Sequence, residues 1–519
     1  MSTREVSVEV NRLLQIPQSL IKAELEGLYG TNVLQDMGNI ISLYDLYDRG
    51  AGFTKDETDF TPADLRSKAA ANLINKEARF MFSKTPDFYI DVAPGDSKES
   101  RKLAKDSSSV YQTLVDRVLE ANMFSSSLIR AAKDCFIGKR VALMFNINED
   151  SGIQISFLPS LEFVYDVDPS DSNRITKIIA FYGLNDLEAK SDQRIYKKKY
   201  WLENGVCWYS EEVYNGMGQV QEVIQDATPT KFSFIPAWVI VNDGLTGDIL
   251  GTSEVSSLVE LEGWYNRLSS ADIDAERKGM NPVRYTVDAS PDTTKGLKSS
   301  PGAFWDLASD QNQAADHQAQ VGTLESSMSY SSALSTTLDR IKNMMHEQTS
   351  VPDVSPASMK GIVSSGKTLK AIYWDLIVRC DEKMLVWRPA LKFLAKCIIE
   401  GVRLYPKAGS LYISEPLPTA EYDIRVDNQY SLPEDEQEEK NTDLAEVNAQ
   451  TMSKKSYMKK WRNLTDDEAD EELRQIALER QLLEDSFSEP PMAPGEDEEE
   501  TASESNLGDE GQIDEVIEE

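Results

Sequence analysis

The sequence predicts an α+β protein in which long helices flank a block of antiparallel strands. Apolar residues recur at helical spacing over residues 253–278 and again over 332–348. Between residues 139 and 243 they instead alternate with polar residues, as on the two faces of a strand. Because 519 residues exceed the size of one simple core, we expect two or more structural regions.

The chain before the strands is predicted to be mainly helical. Residues 1–50 alternate helical signals with glycines and say little about chemistry. Apolar stripes predict helices at 62–82, 107–122 and 126–136, and a strand at 87–92.

The block from 139 to 243 is predicted to be an antiparallel, meandering sheet packed on those helices. Its predicted strands are at 141–147, 153–157, 174–182, 199–202, 206–209 and 234–241. The first two flank Glu149-Asp150-Ser151-Gly152, which predicts a hairpin. Asn204-Gly205 predicts a second hairpin, because both residues tolerate the positive φ of a tight turn.

The last third returns to helices. A Pro/Ser-rich loop leads into a long helix at 367–401, which Pro389 should kink. Short strands are predicted at 411–413 and 422–426. Capping-box patterns at 431–434 and 465–468 open polar helices, with a basic helix at 453–461 between them. No Lys or Arg follows Arg480, and we expect residues 484–519 to be a disordered acidic tail.

Composition narrows the class of function. A net charge of −34 argues against a protein that grips nucleic-acid phosphates. The four cysteines, Cys135, Cys207, Cys380 and Cys397, lack CxxC spacing and are predicted to be buried and reduced, as suits a cytoplasm. We expect no membrane association, because no apolar run approaches the roughly 20 residues that span a bilayer. The N-terminus also lacks the apolar core of a signal peptide.

One motif suggests nucleotide binding. Residues 361–368, GIVSSGKT, match the phosphate-binding pattern GxxxxGK[ST]. In an NTPase, Lys367 would hold phosphates and Thr368 magnesium. Such a loop follows a buried strand, however, whereas residues 350–359 contain two prolines among polar residues. The favoured interpretation is a loop hinged at its two glycines, with the NTPase as the alternative.

No other pattern predicts catalysis, a metal or a cofactor. The two histidines, His317 and His346, lack metal-binding spacing, and the acidic residues are too many to single out a nuclease pair. Three tryptophans on helical stripes, Trp264, Trp374 and Trp387, are predicted to pack in a core or interface. The one basic cluster, Lys454, Lys455, Lys459 and Lys460, fits a solvated helix face better than a nucleic-acid site.

Four segments in a fixed order identify a family. They are residues 75–86 (NKEARFMFSKTP), Ile235-Pro236 followed by Gly251-Thr252-Ser253-Glu254, residues 365–369 (SGKTL), and the helical block 452–476. In this order and spacing, over about residues 60 to 484, the chain resembles the portal (head-to-tail connector) proteins of tailed bacteriophages, in the long-tailed, siphophage-type branch.

The resemblance implies a portal-like fold with a mainly helical stem and crown, a β-rich wing and a small α/β clip, assembled as a ring. Its parts would be an N-terminal segment (1–60), wing (61–250), first stem helix (251–278), clip (279–328), second stem helix (329–348), tunnel loop (349–366), long wing helix (367–401), wing strands (402–430), crown (431–483) and tail (484–519). Family members form a closed ring, typically of twelve copies.

The resemblance also implies function and partners. Double-stranded DNA would pass through the ring at the capsid vertex during packaging and ejection, without catalysis by this chain. The implied protein partners are the terminase large subunit, a head-completion adaptor, and the major capsid and scaffolding proteins. The protein would reside in the virion, after assembly in the host cytoplasm. An acidic adaptor without a channel remains an alternative.

Site residues follow from the implied parts. The DNA-facing candidates in the tunnel loop are Val354, Ser355, Ser358, Met359, Lys360, Gly361 and Ser364. Candidates for partner contacts, chosen as charged or aromatic residues of the clip, are Arg284, Tyr285, Lys295, Lys298 and Trp305. An acidic channel wall would repel phosphate and let a duplex slide.

Overall fold

A computed structural model describes residues 27–53, 61–94, 96–184, 194–245, 247–280, 283–295, 297, 305–310, 318–324, 329–354, 370–431, 436–462 and 464–486. The chain divides into two compact units, Met1–Pro433 and Glu434–Glu519. Helices and antiparallel strands both contribute, which confirms the α+β prediction.

From residue 27 to residue 138, the described part of the first unit contains four helices and one strand. They are α1 (Gly27–Arg49), α2 (Ala69–Met81), β1 (Asp87–Val92), α3 (Lys98–Ala121) and α4 (Phe124–Gly138). Strand β1 has the predicted bounds, and α3 begins nine residues before its predicted start. Ser97 and Ser100 form a capping box there, which satisfies amide groups at the helix start.

The predicted helix start at Pro62 is wrong. Helix α2 begins only at Ala69, after Lys68 with φ of +51°. Residues 61–68, here called the strap, form neither helix nor strand. Backbone N–H groups of the strap donate hydrogen bonds to side chains of α5 (Glu254–Met280) rather than to backbone carbonyls within the strap.

The strap follows a ladder of four polar side chains on α5, spaced four residues apart. The bonds run from Ala63 N to Asp274 Oδ2 (3.0 Å), Leu65 N to Ser270 Oγ (2.9 Å), Ser67 N to Asn266 Oδ1 (2.9 Å) and Ala70 N to Glu262 Oε2 (3.2 Å). The side chains of Glu262, Asn266 and Ser270 are buried. This ladder satisfies backbone groups that a non-helical segment would otherwise leave unpaired.

We expect Asn266→Ala to loosen the strap. Asn266 also donates to Ala51 O at 3.0 Å, so the substitution leaves one buried carbonyl and one partly buried amide without these partners. The cost should be about 1–3 kcal/mol, seen as a lower urea midpoint and faster hydrogen exchange at Ser67. Glu260→Ala, on the exposed face of the same helix, should change the free energy of unfolding by less than about 0.5 kcal/mol. Equal effects of the two substitutions would contradict the role of the ladder.

The described strands between residues 140 and 241 form two sheets rather than the one predicted. The first of these sheets has the strand order β3-β2-β9. Its strands are β2 (Arg140–Asn148), β3 (Gly152–Pro159) and β9 (Ala237–Val241). The second of these sheets has the strand order β4-β5-β6-β7-β8. Its strands are β4 (Phe163–Asp168), β5 (Asp171–Leu184), β6 (Arg194–Glu203), β7 (Val206–Tyr214) and β8 (Val220–Pro229). Both predicted hairpins are confirmed, with Ile147 opposite Ile153 and the Asn204-Gly205 turn at positive φ.

The remaining elements of the first unit follow α5. They are β10 (Val283–Val287), the single turn α6 (Pro291–Thr294), β11 (Gln320–Leu324), α7 (Ser331–Thr349), α8 (Trp374–Leu404), the single turn α9 (Pro406–Gly409) and β12 (Tyr422–Asp427). Helices α5 and α7 match the two helices predicted from apolar stripes. The predicted strand at 411–413 is wrong, because these residues form turns after α9. Helix α8 continues through Pro389.

The core of the first unit surrounds α8. Trp387 is 1% exposed and lies edge-on to Phe82, with ring centroids 5.0 Å apart. Strand β12 pairs antiparallel with β1 beside this core. All four cysteines are buried and free, as predicted.

The second unit contains α10 (Glu436–Asn448), α11 (Lys454–Arg462) and α12 (Asp466–Ser486). The second capping box is confirmed: Thr465 N donates to Glu468 Oε2 at 2.8 Å. Two lysines of the basic cluster are in ion pairs, Lys455 with Asp470 and Lys460 with Asp443. Residues 484–486, predicted as the start of the tail, belong to α12, and the rest of the tail lies outside the described residues.

Candidate functional site: stem, clip and their junction

Helices α5 and α7 form an antiparallel pair, here called the stem. Tyr330, just before α7, lies 3.4 Å from Asp272 near the end of α5. At the opposite end, Arg379 of α8 contacts both Glu254, where α5 begins, and the Gln348 carbonyl, where α7 ends. The connection between the end of α5 and the start of α7 therefore begins and ends at the same end of the stem.

That connection holds a small hairpin with an aromatic on each face. Strands β10 and β11 pair with Tyr285 opposite Gly322. A Cβ at Gly322 would lie 2.4 Å from the Tyr285 ring, so the ring needs a glycine opposite it. On the other face, the Arg284 guanidinium lies 5.1 Å from the centroid of Trp305.

The structure thus brings two of the five clip candidates together, Arg284 and Trp305 on one face of the hairpin. Tyr285 is 46% exposed and lies on the opposite face. Lys295 is exposed on the turn α6, with its Nζ 3.4 Å from Asp292. Lys298 lies outside the described residues.

Helix α7 turns a polar face away from the core. Ile341, Met345 and Thr349 are its buried residues. At 100° per residue, one exposed sector of about 120° carries Ser332, Ser335, Thr336, Asp339, Asn343 and Glu347. This sector contains hydroxyls, an amide and two carboxylates but no lysine or arginine, and Arg340 lies at its margin. A DNA duplex that passed along this sector would therefore meet no side chain that binds phosphate strongly.

The chain after α7 is tied back to it. Lys342 pairs with Asp353 at 2.7 Å, and His346 Nδ1 lies 2.7 Å from the Val351 carbonyl. Val354, a tunnel-loop candidate, is half-buried directly after these contacts. The other six candidates, Ser355, Ser358, Met359, Lys360, Gly361 and Ser364, lie outside the described residues, as does the whole GIVSSGKT motif. Residues 351–354 form no strand.

A buried charge cluster joins the stem to α2 and α8. Arg379 Nε lies 2.9 Å from Glu77 Oε1, and its Nη2 bonds to Glu254. Lys383 Nζ lies 2.6 Å from Glu254 Oε1 and 2.9 Å from Asn242 Oδ1. The five residues of this cluster, here called the junction cluster, are Glu77, Asn242, Glu254, Arg379 and Lys383. Sequence reasoning missed it, although Arg379 and Lys383 stand four apart on one helix face and so could act together.

The two carboxylates of the junction cluster differ in acidity. Burial raises the pKa of Glu77 above its ordinary value, and the attraction of Lys383 only partly offsets it. Burial also disfavours ionised Glu254, but Lys383 and Arg379 outweigh it and hold the pKa of Glu254 below its ordinary value. Glu254 is therefore the more readily ionised of the two carboxylates.

The described residues contain no group of three or more His, Cys, Asp or Glu side chains arranged to hold a metal. Burial raises the pKa of each cysteine thiol, that of Cys207 to about 11. Over the described ranges, no helix is both long and apolar enough to cross a membrane. Trp264 and Trp374, predicted to pack in a core or interface, are 56% and 62% exposed in the single chain.

Comparisons with known proteins give one family. A family model described as "Phage portal protein, SPP1 Gp6-like" matches residues 30–483. A search of curated proteins gives no match. Among solved structures, a chain from "Neck of empty GTA particle computed with C6 symmetry" is similar at 9% identity, with a TM-score of 0.39, over 76% of this chain and 89% of that one.

Proposed function

The chain belongs to the SPP1 Gp6-like family of phage portal proteins, and from this premise we propose that it assembles into a closed ring. The ring, typically of twelve copies in this family, would stand at the capsid vertex and let double-stranded DNA enter during packaging and leave during ejection. The family is structural rather than enzymatic. Assembly would take place in the host cytoplasm before incorporation into the virion.

The polar face of α7 is the observation that carries this proposal. A channel wall must pass DNA without holding it, which requires few positive charges and no large apolar surface. The exposed sector from Ser332 to Glu347 meets both requirements. Copies of α7 facing one axis would surround the duplex with hydroxyls and carboxylates, and Asp339 and Glu347 would weakly repel phosphate.

The parts of the chain receive roles on the same basis. We assign the wing to residues 61–250 with 367–430, the stem to 251–278 and 329–348, the clip to 279–328, the tunnel loop to 349–366 and the crown to 431–483. In the tunnel loop, Val354, Lys360 and their neighbours would face the duplex. Hinge glycines Gly361 and Gly366 would give this loop freedom.

The clip hairpin is the proposed docking site for the terminase large subunit and later for a head-completion adaptor. Arg284 stacked on Trp305 presents a charged and an aromatic group together, the residue types that dominate protein interfaces. Tyr285 adds a second exposed ring, and Lys295 and Lys298 complete the set. The major capsid and scaffolding proteins would contact the ring elsewhere.

Native mass spectrometry of the purified chain tests the proposal. We expect a single closed assembly near twelve times 58.2 kDa, with a central opening in negative-stain images. A stable monomer over a range of salt concentrations would contradict it. An assembly without a central opening would favour an acidic adaptor, and magnesium-dependent ATP hydrolysis that Lys367→Ala abolishes would favour the NTPase.

A further inference from the structure

Helix α8 exposes several large apolar side chains on its outer face, beside charged residues such as Asp381 and Lys392. Its inner face packs Leu376, Met384 and Trp387 into the core. Its outer face carries Trp374, Val378 and Leu385, which are 62%, 50% and 66% exposed. Large apolar side chains that are exposed together on one face of a helix mark an interaction surface, so we expect the outer face of α8 to be covered in an assembly.

The three exposed side chains form one stripe. At 100° per residue they fall within about 40° of each other over three turns of helix. Val386, 39% exposed, and Leu245, 88% exposed, extend the apolar surface beside the stripe. Leu245, Leu385 and Val386 also line a cavity of about 400 Å³, which a side chain from outside can enter.

The rim of this surface is acidic. Asp243, Asp248 and Glu382 line the same cavity as the apolar residues. The neighbouring cations, Arg379 and Lys383, are already bound to Glu77 and Glu254 in the junction cluster. The surface therefore suits an aromatic or aliphatic group accompanied by a basic one.

Such a pair stands on the outward face of α5. Trp264 is 56% exposed, and the Arg267 guanidinium lies 5.4 Å from its ring centroid. Trp264 and Trp374 are the two aromatic side chains among the described residues that are more than half exposed. Tryptophan and arginine are the residues most enriched among interface hot spots.

A closed ring of identical chains needs two different, complementary faces on each copy. We propose that the α8 stripe of one copy is covered by the Trp264–Arg267 face of α5 from the adjacent copy. This inference rests on the proposed ring and specifies which surfaces close it. Covering the stripe would bury Trp374 and Leu385 and would set Arg267 against the acidic rim.

Cysteine cross-linking tests the contact directly. Trp264→Cys is combined in turn with Trp374→Cys, Val378→Cys and Leu385→Cys in the full chain, and the rings are treated with a short bis-maleimide. We expect at least one pair to give a ladder of covalent multimers. The four native cysteines are buried and should not react. Trp264→Cys with Lys392→Cys is the control, because Lys392 lies on the same face about 27 Å beyond Trp374.

Leu385→Glu supplies an independent measurement. A carboxylate in the middle of the stripe should lower the assembled fraction at least about tenfold, whereas Lys392→Glu should leave it unchanged. Rings that persist in Leu385→Glu, or three cysteine pairs that all fail to cross-link within intact rings, would overturn the inference. A wild-type chain that forms no ring would overturn the proposed function itself.

Discussion

Replacing both Asp339 and Glu347 by lysine should convert a sliding surface into a DNA-binding one. Each copy changes by four charge units on the exposed sector of α7. If the new lysines form about six to ten phosphate contacts around the ring, binding to linear duplex should become measurable. It should then fall by about 10³ to 10⁵ between 50 and 200 mM salt. Packaging should stall, because a wall that binds phosphate opposes translocation at each step.

Filter binding of purified rings to linear duplex, followed by a packaging assay, measures both effects. Glu203→Lys with Glu415→Lys is the matched control, since these carboxylates are also exposed but lie outside the stem. The control adds the same charge and should leave packaging near the wild-type level. Equal DNA binding by the two double variants would place the channel wall elsewhere than on α7.

Local patterns determined much of the fold. The hairpin register around Gly152 and the capping box at Thr465 depend on residues close in sequence, and both were predicted correctly. Strand β8 was missed because every one of its residues is exposed, which leaves no apolar period to detect. Only its pairing with β7 makes it a strand.

The strap and the junction cluster could not be predicted for a different reason. The strap amides have partners about 200 residues away on α5, and a polar residue every fourth position on a helix normally indicates a solvated face. Glu77, Glu254 and Arg379 come from three distant helices. Their sequence spacing contains no trace of the contact, because buried ion pairs are set by tertiary packing alone.

The clip candidates show a mixed outcome. Choosing charged and aromatic residues selected Arg284 and Trp305, which the structure brings within 5.1 Å of each other. The same rule could not find Gly322, whose role is to leave room for the Tyr285 ring. A residue that acts through the absence of a side chain gives no chemical signal in a single sequence.

The largest loss of stability is expected from Glu254→Gln. The substitution leaves Arg379 and Lys383, two cations at the base of the stem, with Glu77 as the remaining carboxylate of the cluster. Breaking a buried ion pair on one side costs about 3–5 kcal/mol, because the remaining charge stays desolvated. The urea midpoint followed by tryptophan fluorescence should fall accordingly, since Trp387 lies in the same core.

Glu77→Gln is the matched comparison within the same cluster. The raised pKa of Glu77 means that its neutral form is tolerated, whereas the lowered pKa of Glu254 means that its charge is required. The loss of stability for Glu77→Gln should therefore be smaller than the loss for Glu254→Gln. If Glu77→Gln proved the more damaging substitution, Glu254 would not be the anion that holds α8 to the stem, and α2 would take that role.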